Sequence, residues 1–189
     1  KYLDSTGLAN NTVVVYMSDQ GFYLGEHGLY DKRFMYEESF RTPMLIRYPP
    51  SIKAGTKLNQ FVVNLDIAPT LLDFAGISVP KDMQGESMKP LLTKQPLIKK
   101  WRDEIYYHYY ELSFNLTAHY GIRTKRYALM HFYNPIDAWE LYDLKKDPYE
   151  MTNIYNKPEY QQVIADLKIR LKALQVKYKD EEKTFLKKK

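Results

Sequence analysis

The sequence predicts an α/β chain in two parts. Residues 1–95 form the C-terminal part of an incomplete sheet-and-helix domain, and residues 96–189 form a small α+β subdomain with an antiparallel sheet and a terminal helix. Three observations predict this. The run Thr12 to Met17 is β-branched and apolar without alternation, the pattern of a parallel strand covered on both faces. Eleven of the eighteen tyrosines lie between Tyr106 and Tyr160, in short segments punctuated by turn residues. From Glu159 onward, Ile164, Leu167, Leu171, Leu174 and Tyr178 recur at helical steps of three and four.

In chain order, Thr12–Met17 stops at Ser18-Asp19-Gln20-Gly21, where the glycine permits a tight turn. A second strand, Met44–Tyr48, ends at Pro49-Pro50, which cannot extend a ladder. Phe61–Val63 reads as a third, shorter strand. A helix follows with Ile67, Leu71, Leu72 and Phe74 on one side, Asp66 as N-cap, Pro69 in the first turn and Gly76 as its stop. The proline-punctuated stretch 78–100 reads as a linker or surface excursion. Beyond it, Glu104–Tyr110, His119–Arg123, Tyr127–Tyr133 and Trp139–Tyr142 read as strands, with Thr124-Lys125-Arg126 as a hairpin turn. Asp147-Pro148 and Lys157-Pro158 mark turns. The terminal helix is expected to pack on the tyrosine-rich sheet. Two or three strands in the first 95 residues are too few for a sheet covered on both faces, so the chain reads as the C-terminal part of something larger.

Composition narrows the function classes. The 189 residues contain no cysteine, which excludes disulfides, thiolate catalysis and cysteine-ligated zinc. No apolar run approaches the roughly 20 residues that span a bilayer, so no membrane insertion is expected. Nor does a basic-then-apolar leader follow Lys1. Twenty-eight Lys and Arg against 23 Asp and Glu give a net charge of +5. More than half of that excess sits in the lysine-rich end, residues 177–189, the pattern of a solvated tail and not of a nucleic-acid face.

Asp19 and Gln20 stand at the carboxyl end of a predicted strand, where α/β sheets bind ligands. Together they offer hard oxygen donors suited to calcium or magnesium, although Asp-x-Gly is equally a common turn. Lys32 can present an ammonium to an anion or simply face solvent. His27 can approach a ligand or hold its loop by a hydrogen bond. Glu37 and Glu38, adjacent on a helical turn, point in different directions and read as structural. Among the tyrosines, His108, His119, Arg123 and Trp139 have the chemistry to contact a polar sugar, while histidines in such a sheet are also often core residues. Asn10-Asn11-Thr12 and Asn115-Leu116-Thr117 match the N-glycosylation pattern.

The segment Ser18-Asp19-Gln20-Gly21-Phe22-Tyr23-Leu24-Gly25-Glu26-His27-Gly28, with Lys32, Tyr36-Glu37-Glu38-Ser39 and Arg41-Thr42-Pro43, resembles the formylglycine-dependent sulfatases of the alkaline-phosphatase superfamily. The likeness continues through Asn64–Thr70, Asp73–Gly76, Met83–Ser87 and Trp139–Leu144, to Asp147-Pro148 and Glu150. It implies an alkaline-phosphatase-like sheet fold for the first part. It implies that Asp19 and Gln20 are two ligands of a Ca2+ ion completed by residues outside this chain. It also implies that Lys32 contacts a sulfate oxygen and the bridging oxygen, with His27 nearby. The C-terminal subdomain is then the part that closes over the site and selects the sugar, with His108, His119 and Arg123 as substrate contacts. The family's nucleophile, a formylglycine made in a C/S-x-P-x-R signature, is absent: Ser78-Val79-Pro80-Lys81-Asp82 has Asp where Arg is required. The resemblance therefore implies a chain inactive alone, partnered by the N-terminal part of the same enzyme. The tyrosine run resembles bacterial exo-sulfatases acting on sulfated amino sugars, with 6-O-sulfated N-acetylglucosamine as the leading substrate and a periplasmic or secreted location. A phosphodiesterase or phosphonate monoester hydrolase of the same superfamily, and a non-catalytic carbohydrate-binding module, are the alternatives.

Overall fold

In the computed structural model the described residues are 1–97, 99–110 and 117–180. Asn115, Leu116 and most of the lysine-rich end, residues 181–189, lie outside them. The elements in chain order are α1 (Tyr2–Ser5), β1 (Val14–Met17), β2 (Tyr23–Leu24), β3 (Tyr30–Asp31), α2 (Glu37–Phe40), β4 (Met44–Arg47), α3 (Ile67–Phe74), α4 (Lys89–Leu92), β5 (Glu104–Tyr109), β6 (Ala118–Thr124), β7 (Tyr127–Asn134), β8 (Ala138–Asp143) and α5 (Gln161–Lys177). They form two compact units, one of residues 1–19 with 42–102, the other of 20–41 with 103–189. The division differs from a simple break at residue 95, because the loop-rich segment 20–41 belongs with the C-terminal strands.

In the first unit β1 pairs antiparallel with β4, Val14 opposite Arg47 and Met17 opposite Met44. The ladder is thus antiparallel where the run alone suggested a parallel one, and the exposed face is the one an incomplete sheet leaves without cover. Val14 and Tyr16 point outward and are exposed, as is Leu45 on β4, because among the described residues nothing lies over that face. Phe61–Val63 is not a strand either. The Val63 N–H is taken by Asp66 Oδ2 at 2.9 Å, and so is withdrawn from any ladder. Asp66 does precede α3, but its carboxylate does not cap the helix. Fully buried, it also accepts from the Glu86 N–H at 2.8 Å and from the Arg102 guanidinium, whose Nη2 lies 2.8 Å away. A buried carboxylate needs this many donors to replace water. α3 ends as expected at Gly76 (φ 71°): the Gly76 N–H reaches the Asp73 carbonyl and the Ile77 N–H the Leu72 carbonyl, a Schellman closure.

Residues 78–100 are not simply a surface excursion. Met88, Leu91 and Leu92, with Trp101 beyond them, are buried as this unit's core, joined by Ile46, Ile67 and Phe74. The prolines misled: Pro90 sits in the first turn of α4, where a missing N–H costs nothing.

The second unit follows the sequence closely. β5-β6-β7-β8 form a four-stranded antiparallel meander, with Lys125-Arg126 as the β6–β7 turn. Side chains alternate, so each strand serves two faces. Tyr120, Ile122, Leu129 and Leu141 meet Ile164, Leu167, Leu171 and Leu174 of α5 on one face. On the other, Ala128, Met130, Phe132 and Tyr142 pack against Tyr23, Met35 and Tyr36 of the 20–41 segment. This second cover explains why β6 is buried on both sides.

Candidate functional site

Segment 20–41 leaves the Gln20-Gly21 turn, runs out along β2, returns along β3 and closes in α2. Its outgoing end is fastened to α2 by backbone: the Gly21 N–H donates to the Ser39 carbonyl at 2.8 Å and the Phe22 N–H to the Glu38 carbonyl at 2.9 Å. The approach is so close that a Cβ on Gly21 would lie 1.9 Å from the Glu38 carbonyl oxygen, so only glycine fits.

Lys32 lies just past β3, half-buried, between two residues with left-handed backbone, Asp31 (φ 102°) and Arg33 (φ 112°). Positive φ at non-glycine residues is costly and persists where the surroundings impose it. Here the surroundings are identifiable. The Tyr107 hydroxyl donates to the Arg33 carbonyl at 2.5 Å and the Tyr23 hydroxyl to the Phe34 carbonyl at 2.9 Å. The Arg33 N–H donates to Ser39 Oγ at 3.2 Å, and the Arg33 guanidinium pairs with Asp31. Burial pushes the Tyr107 phenol up to about 12, so it remains a donor. Lys32 itself has no hydrogen-bond or ion-pair partner among the described residues. It borders a hollow of about 130 Å³ lined by Tyr23, Leu29, Tyr30, Asp31, Arg33 and Phe34.

His27 holds its loop. Its Nε2 lies 3.2 Å from Glu38 Oε2, and its ring stacks on Tyr36 at 4.2 Å. Glu37 and Glu38 are structural, as read: Glu37 Oε1 accepts from Arg123 Nε at 2.8 Å. Arg123, read from the sequence as a sugar contact, directs Nε to Glu37 and Nη1 to the Thr124 carbonyl.

His108 and His119, read from the sequence as substrate contacts, both lie in the interior of the sheet. The His108 side chain is only 2% exposed, with Nδ1 2.8 Å from Asp180 Oδ2 and Nε2 2.9 Å from the Tyr133 hydroxyl. Burial holds it below the ordinary histidine range, against the pull of Asp180. His119 is fully buried, its Nδ1 2.8 Å from the Thr117 carbonyl and its ring stacked on Phe34 and Tyr109. Burial pushes it down to about 4. Both are core histidines. Trp139 has no face for a pyranose: His131 stacks on it at 4.1 Å, and Lys168 Nζ lies 4.1 Å from its ring centroid.

Asp19 is exposed and Gln20 half-buried. Among the described residues no three His, Asp or Glu side chains converge to hold a metal. The oxygen donors of Asp19 and Gln20 suit a hard cation, but as part of a ligand set and not the whole of one.

Sequence reasoning missed the support: the hydroxyls of Tyr23 and Tyr107, and Glu150, a buried carboxylate whose Oε2 accepts the Glu37 N–H at 2.8 Å. The Asp147-Pro148-x-Glu150 turn was the available signal for Glu150. Nothing distinguished the two tyrosines from their many neighbours.

Comparison with known proteins gives the family of the chain. The family model described as N-sulphoglucosamine sulphohydrolase, C-terminal, matches residues 25–177. An N-acetylglucosamine-6-O-sulfatase of Bacteroides thetaiotaomicron is 52% identical over 95% of this chain and 33% of its own length. An arylsulfatase of Clostridium perfringens is 38% identical over 92% of this chain and 36% of its own. A solved structure in complex with its substrate D-glucosamine-2-N,6-O-disulfate superposes with a TM-score of 0.91 at 50% identity, covering all of this chain and 38% of that one. A phosphonate monoester hydrolase of Agrobacterium radiobacter gives a TM-score of 0.81 at 26% identity, over 93% of this chain and 37% of its own. The chain thus spans little more than a third of the relatives it matches. With the family model covering most of its residues, the chain belongs to the sulfatases of the alkaline-phosphatase superfamily, as their C-terminal region.

Proposed function

We propose that this chain is the C-terminal region of a sulfuric ester hydrolase that removes sulfate from a sulfated amino sugar, with 6-O-sulfated N-acetylglucosamine the leading substrate. The observation that carries the ester-hydrolase reading is Lys32: a half-buried ammonium without a partner among the described residues, beside a hollow and between two residues locked in costly backbone conformations. The amino sugar is taken from the likeness to an N-acetylglucosamine-6-O-sulfatase. Sulfate-ester cleavage spreads negative charge over the sulfuryl oxygens and the departing oxygen. A fixed ammonium facing that charge favours the transition state over the ground state. Nothing among the described residues competes for the charge of Lys32, so it is available to an anion.

In this reading Asp19 and Gln20 supply two oxygen ligands to a calcium ion whose remaining ligands lie outside these residues. The bound ion would withdraw charge from the sulfate oxygens. His27 keeps the loop in shape through Glu38 and Tyr36 and does not touch the sulfate. The formylglycine comes from outside these 189 residues, so the chain alone is inactive. The N-terminal part of the same enzyme is its partner, and a periplasmic or secreted location suits a glycan substrate. No helix among the described residues is long and apolar enough to cross a membrane.

The likeness to a phosphonate monoester hydrolase favours a second reading, in which the same ammonium faces a phosphorus ester. The test is to assay the intact enzyme with matched aryl sulfate and aryl phosphodiester substrates, before and after Lys32→Ala. We expect the sulfate ester to be preferred and the substitution to lower kcat about 10²- to 10³-fold. A preference for the phosphodiester transfers the reading to the second class. Near-wild-type turnover by Lys32→Ala removes Lys32 from the site.

A further inference from the structure

We infer that Glu150 is a positioning residue for Lys32, acting through α2. The inference rests on the reading of Lys32 given above, and its observations are independent of that reading.

Glu150 is 1% exposed and sits in the turn after β8 with left-handed backbone (φ 52°), a conformation that a glutamate adopts only when held. Its Oε2 accepts the Glu37 N–H at 2.8 Å, while Oε1 has no hydrogen-bond partner among the described residues. Glu37 is the first residue of α2, and the residue before it, Tyr36, contributes no side-chain cap. A carboxyl 113 positions along the chain therefore does what a local Ser or Asp ordinarily does at a helix start.

The consequence reaches Lys32 in two steps. Glu150 fixes the first turn of α2. α2 then presents Ser39, whose Oγ accepts the N–H of Arg33, the residue next to Lys32. Its Ser39 and Glu38 carbonyls receive the Gly21 and Phe22 N–H groups that close the loop. The charged and titratable groups facing Glu150 are Glu37 and Glu38 on α2, Arg123 on β6, Tyr142 on β8 and Tyr23 on β2. Burying a carboxyl with an unpartnered oxygen among two other carboxylates is unfavourable for stability alone. A leucine of similar size would avoid burying the carboxyl but would leave the Glu37 N–H without its acceptor. The arrangement makes sense as a device that sets the height of α2, and with it the aim of Lys32.

The experiment is a double-mutant cycle in the intact enzyme with an aryl sulfate. Glu150→Leu keeps the volume and removes the acceptor, and Glu150→Gln keeps an acceptor oxygen. We expect Glu150→Leu to lower kcat about 10- to 100-fold with KM little changed, and Glu150→Gln to restore most of it. In a Lys32→Ala background, Glu150→Leu should cost less than about twofold more, because its effect runs through Lys32. Full additivity, or an unchanged kcat for Glu150→Leu, overturns the inference while leaving the role of Lys32 intact. Near-wild-type turnover by Lys32→Ala overturns both. If Glu150→Leu does not fold, Ser39→Ala cuts the same chain one link later. It must lower kcat and lose that effect in the Lys32→Ala background; an unchanged kcat there rejects the inference.

Discussion

The β5–β8 sheet and the β1–β4 pair carry the same kind of residues and use them differently. The sheet is sandwiched by α5 on one face and by segment 20–41 on the other, so Ile122, Leu129, Met130 and Leu141 are fully buried by neighbours in their own unit. The pair leaves Val14, Tyr16 and Leu45 exposed, Leu45 by 67%. An apolar strand pattern therefore states that a face requires cover and says nothing of where the cover comes from.

The largest effect should separate the two regions. Leu129→Ala or Leu141→Ala removes a fully buried side chain and should cost about 2–5 kcal/mol by urea unfolding of this chain. Leu45→Ala in the same chain should stay within about 0.5 kcal/mol, as exposed substitutions do. In the intact protein the Leu45 cost should rise if further chain covers that face. A Leu45→Ala cost in the isolated chain matching that of Leu129→Ala would break the comparison.

A smaller effect probes how segment 20–41 is held over the sheet. Gly21→Ala places a methyl against the Glu38 carbonyl, so either the Gly21–Ser39 bond breaks or α2 shifts. We expect a destabilisation of about 1–3 kcal/mol. Amide exchange should quicken at Gly21 and Phe22 and stay unchanged at Leu129. Uniform quickening through the sheet would mean that the segment and the sheet fold as one inseparable body.

The legibility of the sequence follows the same division. The four strands, the Lys125-Arg126 turn and α5 were readable because each is encoded locally, by alternation, turn chemistry or a three-and-four period, and their partners are sequence neighbours. The pairing of β1 with β4 was not readable. A short β-branched run looks the same in a parallel or an antiparallel ladder, and the partner lies 27 residues or more away. Lys32 was singled out by its spacing to Asp19 within a family block. The hold on its neighbour Arg33 was not legible, because Tyr107 and Ser39 bond the Arg33 backbone from elements scattered along the chain. His108, His119 and Arg123 were singled out for their chemistry, yet sheet packing places the two histidines in the interior and pairs Arg123 with Glu37. Residue type alone cannot tell a recognition histidine from a core one.

The smallest effects concern pH, because two buried groups in the second unit act in opposite directions. His119, pushed down to about 4 from an ordinary 6.5, binds fewer protons folded than unfolded. Its contribution is complete above 6.5 and declines as pH falls toward 4. Glu150, pushed up to about 7 from 4.5 by burial, binds more protons folded than unfolded. Its contribution is complete below 4.5 and declines as pH rises through 7. Between about pH 4.5 and 6.5 the two slopes oppose each other, and the wild-type chain should show a shallow dependence. Glu150→Gln removes the falling slope, so its urea midpoint should climb with pH across that window and hold level beyond it. His119→Gln removes the rising slope, so its midpoint should fall steadily to about pH 7. If both variants parallel the wild type, neither group titrates from a buried position, and the sheet is more open to water than its packing implies.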